Sequence, residues 1–333
     1  MKICILGAGA IGGFIGTRLA VQGQCEVSAI ARGATLQALR THGWRLQQGG
    51  ALLQAAANAS DRPEELGVQD VVVIAVKGPA LSAVAQSIAP LLGPQTIVLP
   101  AMNGVPWWFA QGLSGLGEQP LQSVDPGGRI AQHIPLAHVV GCVVHASTST
   151  GEPGFVQHKM GQGLIIGEPA GEPAGEITER TRRLGALLGG AGFDVTLSSN
   201  IRYDIWYKLW GNMTVNPISA ITGATVDRMQ ADPLVLNFCS AAMREAAAIG
   251  KRIGCEVTQT PEDRHVITRK LGAFKSSMLQ DVEAGRPIEL DSIVGAVQEM
   301  GVRLGLATPN IDALLGIARL FGRVHGLYPE ASA

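Results

Sequence analysis

Two regimes of apolar spacing divide the chain near residue 198. Before that point, short apolar runs alternate with stretches whose apolar positions recur every three or four residues. Residues 2–6, 25–30, 71–76 and 96–100 read as strands, and the unbroken run from Val71 to Val76 is the pattern of a strand buried on both faces. Residues 44–47 and 52–54 flank Gly49 and Gly50 and predict a hairpin. Residues 139–147, 154–158, 163–166 and 193–197 predict further strands, and 177–188 an amphipathic helix. Past residue 198 the spacing is helical almost to the end. Ser198-Ser199-Asn200 offers an N-cap for a helix over 201–215 that stops before Asn216-Pro217. Asp232-Pro233 offers an N-cap and a first-turn proline for a helix reaching about residue 253. Residues 261–282, 291–304 and 309–325 complete the set. The predicted fold class is α/β. A Rossmann-type, doubly wound parallel sheet over 1–198 precedes an all-α C-terminal domain over 199–333.

The first strand runs directly into Gly7-Ala8-Gly9-Ala10-Ile11-Gly12, and a helical stretch follows with Ile11, Phe14, Ile15 and Leu19 on one side. Strand, glycine turn, helix is the setting in which G-x-G-x-x-G counts as a dinucleotide fingerprint. Gly7 permits the tight turn, Gly9 lets backbone approach a pyrophosphate, and Gly12 lets helix and strand pack closely. The helix start then turns free N–H groups and a positive dipole end toward the phosphates. An NAD enzyme usually carries an acid at the end of the second strand. Here the acid, Glu26, is at its start, and Arg32 is at its end. A guanidinium there suits a 2′-phosphate, so NADP(H) is the expected cofactor.

Composition narrows the classes. The chain has 333 residues, 46% apolar and 16% charged, with a net charge of −1. That balance argues against a non-specific nucleic-acid binder, which needs a basic face. No apolar run is long enough to span a bilayer. The five cysteines are odd in number and form no C-x-x-C, and the histidines show no metal-binding spacing. A cytoplasmic enzyme with reduced thiols and no metal is expected.

Candidate chemistry collects at strand ends and on one helix. Lys77 and Asn103 follow the strands at 71–76 and 96–100, where open parallel sheets bind ligands, although either residue alone also suits a plain turn. Residues 105–139 begin with Trp107-Trp108-Phe109 and are rich in glycine and proline. They form either a packed surface excursion or a lid. Lys208, Asn212 and Asn216 recur at i+4 and share a helix face beside Trp206 and Trp210.

Taken in order, G-A-G-A-I-G, the strand-end lysine, M-N-G, K-L-x-x-N-x-x-x-N-P, and S-S-M-L-Q-D followed by E-L-D resemble the ketopantoate reductase (2-dehydropantoate 2-reductase) family. The resemblance covers nearly the whole chain. It implies NADPH-dependent reduction of 2-dehydropantoate to (R)-pantoate, a step of pantothenate synthesis. It implies Lys208 as the catalytic lysine and Glu289 as its acidic partner. Asn212, Asn216 and Ser277 match substrate-binding positions, and Asn103 and Lys77 lie near the nicotinamide and cofactor, with Asn103 also on the substrate side. Hydride delivery to a ketone leaves charge on oxygen, which an ammonium can protonate and stabilise.

The chain departs from the family pattern where Phe274 and a residue near Val226 stand in place of asparagines. Both changes remove polar contacts, so a bulkier 2-oxo acid is the alternative substrate. An NADPH-binding sensor without catalysis is the alternative from another class. Expected partners are a small 2-oxo acid, no nucleic acid and no membrane, with a homodimer left open.

Overall fold

The computed structural model describes residues 1–169 and 175–330. The first half alternates strand and helix as expected. In chain order these are β1 (Lys2–Leu6), α1 (Ala10–Gln22), β2 (Glu26–Ile30), α2 (Gly33–His42), β3 (Trp44–Gln48), β4 (Ala51–Ala55), β5 (Asn58–Ser60), β6 (Val71–Ile74), α3 (Leu81–Ser87) and β7 (Ile97–Pro100). After a long excursion come α4 (Arg129–His133), β8 (Gly141–Glu152), β9 (Phe155–Gly167), α5 (Glu179–Gly190) and β10 (Asp194–Ser198).

The strands form two sheets. One is wholly parallel with order β5-β2-β1-β6-β7. Its order reverses at β1, so the glycine turn leaves the sheet at the switch point where doubly wound folds bind ligands. The other sheet has order β10-β9-β3-β4, with β8 pairing β9. The hairpin expected around Gly49-Gly50 forms, in register Trp44↔Ala55 to Gln48↔Ala51. The strands expected at 154–158 and 163–166 are one strand, β9. Its start pairs with β3 and its end with β10.

Helix α1 explains why its sequence carries so many glycines. A side chain at Gly16 would lie 2.5 Å from the Trp44 ring on one side and 3.1 Å from Ile5 on the other, and one at Gly13 would lie 2.5 Å from Val156. The helix therefore touches both sheets and is buried well beyond the single face its apolar spacing suggests. Phe14 stacks on His158 with ring centres 4.9 Å apart and meets Phe193 edge-on.

The second half is helical: α6 (Ile201–Thr222), α7 (Val226–Ala231), α8 (Pro233–Arg252), α9 (Pro261–Arg269), α10 (Ser277–Glu283), a π-helical turn at Asp291–Gly295, α11 (Ala296–Arg303) and α12 (Pro309–Val324). Asn200 caps α6 by accepting from the Tyr203 N–H, 3.2 Å, and Asp232 caps α8 through the N–H groups of Leu234 and Val235. Two expectations are corrected. Helix α6 does not stop before Asn216-Pro217 but runs through Pro217. The proline costs one backbone bond, yet Met213, Ile218 and Ala220 around it are buried, and that packing holds the helix on course. The single helix expected over 261–282 is two, because Ser276 caps a new start by accepting from the Leu279 N–H, 3.0 Å.

The chain groups into two compact units, Met1–Met102 with Arg129–Asp204, and Asn103–Gly128 with the residues from Ile205 onward. The contiguous boundary expected at 198/199 differs from this division. Residues 103–128 belong with the helices because their aromatic start is packed there: Trp107, Trp108 and Phe109 are buried, and Phe109 stacks on Trp206 at 6.1 Å. The stretch is held as a packed excursion. Among the described residues no helix is long and apolar enough to cross a membrane.

Candidate active site

The first unit supplies a turn built for close backbone approach. Gly7 has φ +91°, and a side chain there would lie 2.6 Å from Val76. A side chain at Gly12 would collide with the Gly7 carbonyl oxygen and sit 3.0 Å from Ile5. Gly9 is different. It is the N-cap of α1 and a side chain there would meet nothing within 4 Å, so its missing Cβ faces open space. No side chain caps α1 and its first turn holds no acid. Free N–H groups beside open space fit a dinucleotide pyrophosphate. Ala8 is buried, while Ala10 and Ile11 are half-buried.

Arg32 is exposed at the end of β2, where it precedes α2. Arg62, just past the neighbouring strand β5, is engaged by Glu64 at 3.0 Å and Glu65 at 3.3 Å. Lys77 is exposed past the end of β6 and opens a short turn in which its carbonyl accepts the Ala80 N–H, 2.9 Å.

The second unit brings together residues far apart in sequence. Lys208 Nζ donates to Asn103 Oδ1 at 2.9 Å. Both side chains are half-buried. The face of α6 that carries Lys208 is fixed by its neighbours. Trp206 and Trp210 are buried, and the Trp210 indole N–H donates to the Met243 carbonyl, 2.7 Å. Asn212 is half-buried one turn on. Asn216 is 4% exposed, and its amide nitrogen has no hydrogen-bond partner among the described residues. A buried donor left in that state asks for an explanation such as a bound group.

The loop after Asn103 rests on the segment that carries Glu289. The Val105 N–H donates to the Ser292 carbonyl at 2.7 Å. Gly104 has φ +80° and would place a side chain 2.5 Å from that same carbonyl oxygen, so only glycine fits there. Glu289 is 7% exposed and lies three residues before Ser292. Gly104 and Ser292 were not singled out by sequence reasoning. The glycine of M-N-G was the available signal, and its close approach to Ser292 has no local trace. In S-S-M-L-Q-D, Ser276 caps α10 and Asp281 is buried against Arg286 Nε at 3.1 Å, which leaves Ser277 half-buried at the first helical position. Among the described residues no cluster of three or more His, Cys, Asp or Glu is arranged to hold a metal.

Comparison with known proteins decides the family. The model of ketopantoate reductase PanE/ApbA matches residues 3–171, and that of its C-terminal part matches residues 200–321. The chain belongs to the ketopantoate reductase family. It is 42% identical over 329 residues to a 2-dehydropantoate 2-reductase of Mesorhizobium japonicum, spanning 98% of this chain and 100% of that one. A crystal structure of a candidate ketopantoate reductase from Ralstonia solanacearum MolK2 is similar at TM-score 0.93 and 53% identity, covering 98% of this chain and 99% of that one. A D-mandelate dehydrogenase solved with NADH and anilino(oxo)acetate shares the fold at TM-score 0.83 and 21% identity, covering 98% of this chain and all of that one. The family is one of oxidoreductases.

Proposed function

We propose that this chain reduces 2-dehydropantoate to (R)-pantoate with NADPH. The observation that carries the reading is the Lys208–Asn103 hydrogen bond, which aims an ammonium from α6 at the turn that follows β7. The nicotinamide, when bound, supplies the hydride. The chain's own residues do the rest. Gly7 to Gly12 hold the pyrophosphate against the start of α1, Arg32 pairs with the 2′-phosphate, and Lys77 adds positive charge at the same sheet edge. Lys208 holds the proton for the ketone oxygen, with Nζ oriented by Asn103 Oδ1. Glu289 is the acidic partner that offsets the ammonium charge. Asn212, Asn216 and Ser277 donate to the carboxylate and hydroxyl groups of the substrate. None of the five cysteines forms a disulfide among the described residues, and all but Cys25 are buried, which suits a reducing cytoplasm.

A second reading has one observation in its favour. The two places where asparagine is replaced, Phe274 and a residue near Val226, lie close together: the Val226 N–H donates to the Phe274 carbonyl at 3.0 Å, and Val226 is fully buried. Apolar replacement at one place suits a bulkier 2-oxo acid. The deciding experiment follows NADPH oxidation by purified protein over a panel of 2-oxo acids. The first reading expects the highest kcat/KM with 2-dehydropantoate. A larger kcat/KM with a bulkier acid replaces it with the second, and NADPH binding with no turnover across the panel leaves a sensor.

A further inference from the structure

Glu289 has irregular backbone on its N-terminal side and a π-helical turn just beyond it. Further support for this irregular segment comes from elsewhere in the chain. The residues after α12 provide it. The Ile288 N–H, immediately before Glu289, donates to the Leu327 carbonyl at 3.0 Å. Two residues after Glu289, Asp291 Oδ1 accepts from the Tyr328 hydroxyl at 2.6 Å. The tail therefore grips the segment on both sides of the carboxylate.

The tail is itself held. The Leu327 N–H donates to the Gly322 carbonyl at 2.7 Å. A side chain at Gly322 would lie 2.7 Å from Tyr328 Cβ and 3.1 Å from Ile288 Cδ1, so this glycine lets tail and segment close on the helix. Arg323 Nε donates to the Pro329 carbonyl at 3.1 Å, and its guanidinium lies 5.8 Å from the Tyr328 ring centre. The match to the family's C-terminal model ends at residue 321, before all of these tail residues.

We propose that the Leu327-Tyr328 tail is a positioning element for Glu289, with the Tyr328 hydroxyl on Asp291 as its decisive contact. The proposal rests on the reading of Glu289 as the acidic partner in the reaction. Tyr328 acts through the segment it holds and not on substrate or cofactor.

The test is Tyr328→Phe, which removes the hydroxyl and keeps the ring. A misplacement of about 1 Å can cost up to about a hundredfold in rate, and the expected loss in kcat is about tenfold, with NADPH affinity and melting temperature close to wild type. Residues acting through one another are non-additive, so Tyr328→Phe placed on Glu289→Gln should cost nothing more. Asp291→Ala should reproduce both results, and Asp291→Asn, which keeps an acceptor for the hydroxyl, should restore turnover. Wild-type kcat in Tyr328→Phe and Asp291→Ala, or losses that multiply with Glu289→Gln, overturn the proposal while Glu289→Gln itself stays impaired. A Glu289→Gln enzyme that turns over like wild type removes the reading of Glu289, and the positioning role with it.

Discussion

At the scale of the residue, chemistry concentrates in a few atoms whose surroundings decide their roles. Lys208 reaches Asn103 because Trp206 and Trp210 lock the neighbouring positions of α6 into the core. General acid catalysis is typically worth about 10²–10⁴-fold, so Lys208→Ala should lower kcat at least about a hundredfold and leave NADPH affinity near wild type. Lys208→Arg keeps the charge, but a guanidinium holds its proton far more tightly than an ammonium and donates it poorly. Steady-state kinetics on the arginine variant separate a proton donor from a fixed charge: wild-type turnover there rules out proton donation by Lys208. The glycine turn offers a second test, because its members differ. Gly9 has ordinary φ of −79° and open space at its Cβ, so Gly9→Ala should melt as wild type does yet bind NADPH more weakly. Gly12→Ala collides with the Gly7 carbonyl and should lose stability. Equal NADPH affinity in Gly9→Ala, measured by titration, means no phosphate approaches that position. These glycines were legible because the fingerprint is local. Gly104 was not, since its reason is Ser292, far along the chain.

At the scale of the element, period and capping predicted what is local and missed what is tertiary. The caps at Asn200 and Asp232 were readable, as was the Gly49-Gly50 hairpin. The passage of α6 through Pro217 was not, because a proline signals a stop and only burial on both sides overrides it. Nor was the allegiance of residues 103–128, which have no period. Two residues of α11 fasten that stretch. Glu299 accepts from the Gln122 and Ser123 N–H groups at 2.8 Å each and from the Ser123 hydroxyl at 2.7 Å. Arg303 donates to the carbonyls of Leu116 at 3.2 Å and of Gln119 and Pro120 at 2.6 Å each. Burial alone would raise the Glu299 pKa, but the bonds from Ser123, Gln122 and Arg303 outweigh it and hold the carboxyl below its ordinary value. A depressed carboxylate contributes stability above its unfolded pKa and loses it as pH falls through the folded one. Glu299→Gln should therefore cost about 2 kcal/mol at neutral pH, as for bonds to a charged group, with the deficit shrinking below the usual carboxylate range. Denaturant melts at neutral and acid pH read this directly, and a deficit that does not change with pH assigns the loss to shape and not to charge. The same packing predicts that amides of Val105 and Phe109 exchange slowly before any ligand is added, which a mobile lid would not show.

At the scale of the whole molecule, family and fold were readable because their motifs are ordered along nearly the entire chain, while the division into units was not, because the chain leaves the first unit at Met102 and returns at Arg129. Cofactor choice also registers at this scale, since anything that binds only the native state stabilises all that unfolds with it. A ligand at a hundred times its Kd adds about 2.7 kcal/mol. A charge-assisted bond from Arg32 to a 2′-phosphate is worth about 1.5–3 kcal/mol, and each 1.4 kcal/mol is about tenfold in Kd. NADH, which lacks that phosphate, should then bind roughly ten- to a hundredfold more weakly and give a much smaller thermal shift at equal concentration. Arg32 is exposed at the end of β2, whereas Arg62, just past β5, is engaged by Glu64 and Glu65. Arg32→Ala should bring the two thermal shifts together by lowering the NADPH shift and leaving the NADH shift unchanged. Equal shifts in the unmutated protein would mean that Arg32 selects nothing. A preference that survives Arg32→Ala would instead move the selecting contact to Lys77 or another residue at the sheet edge.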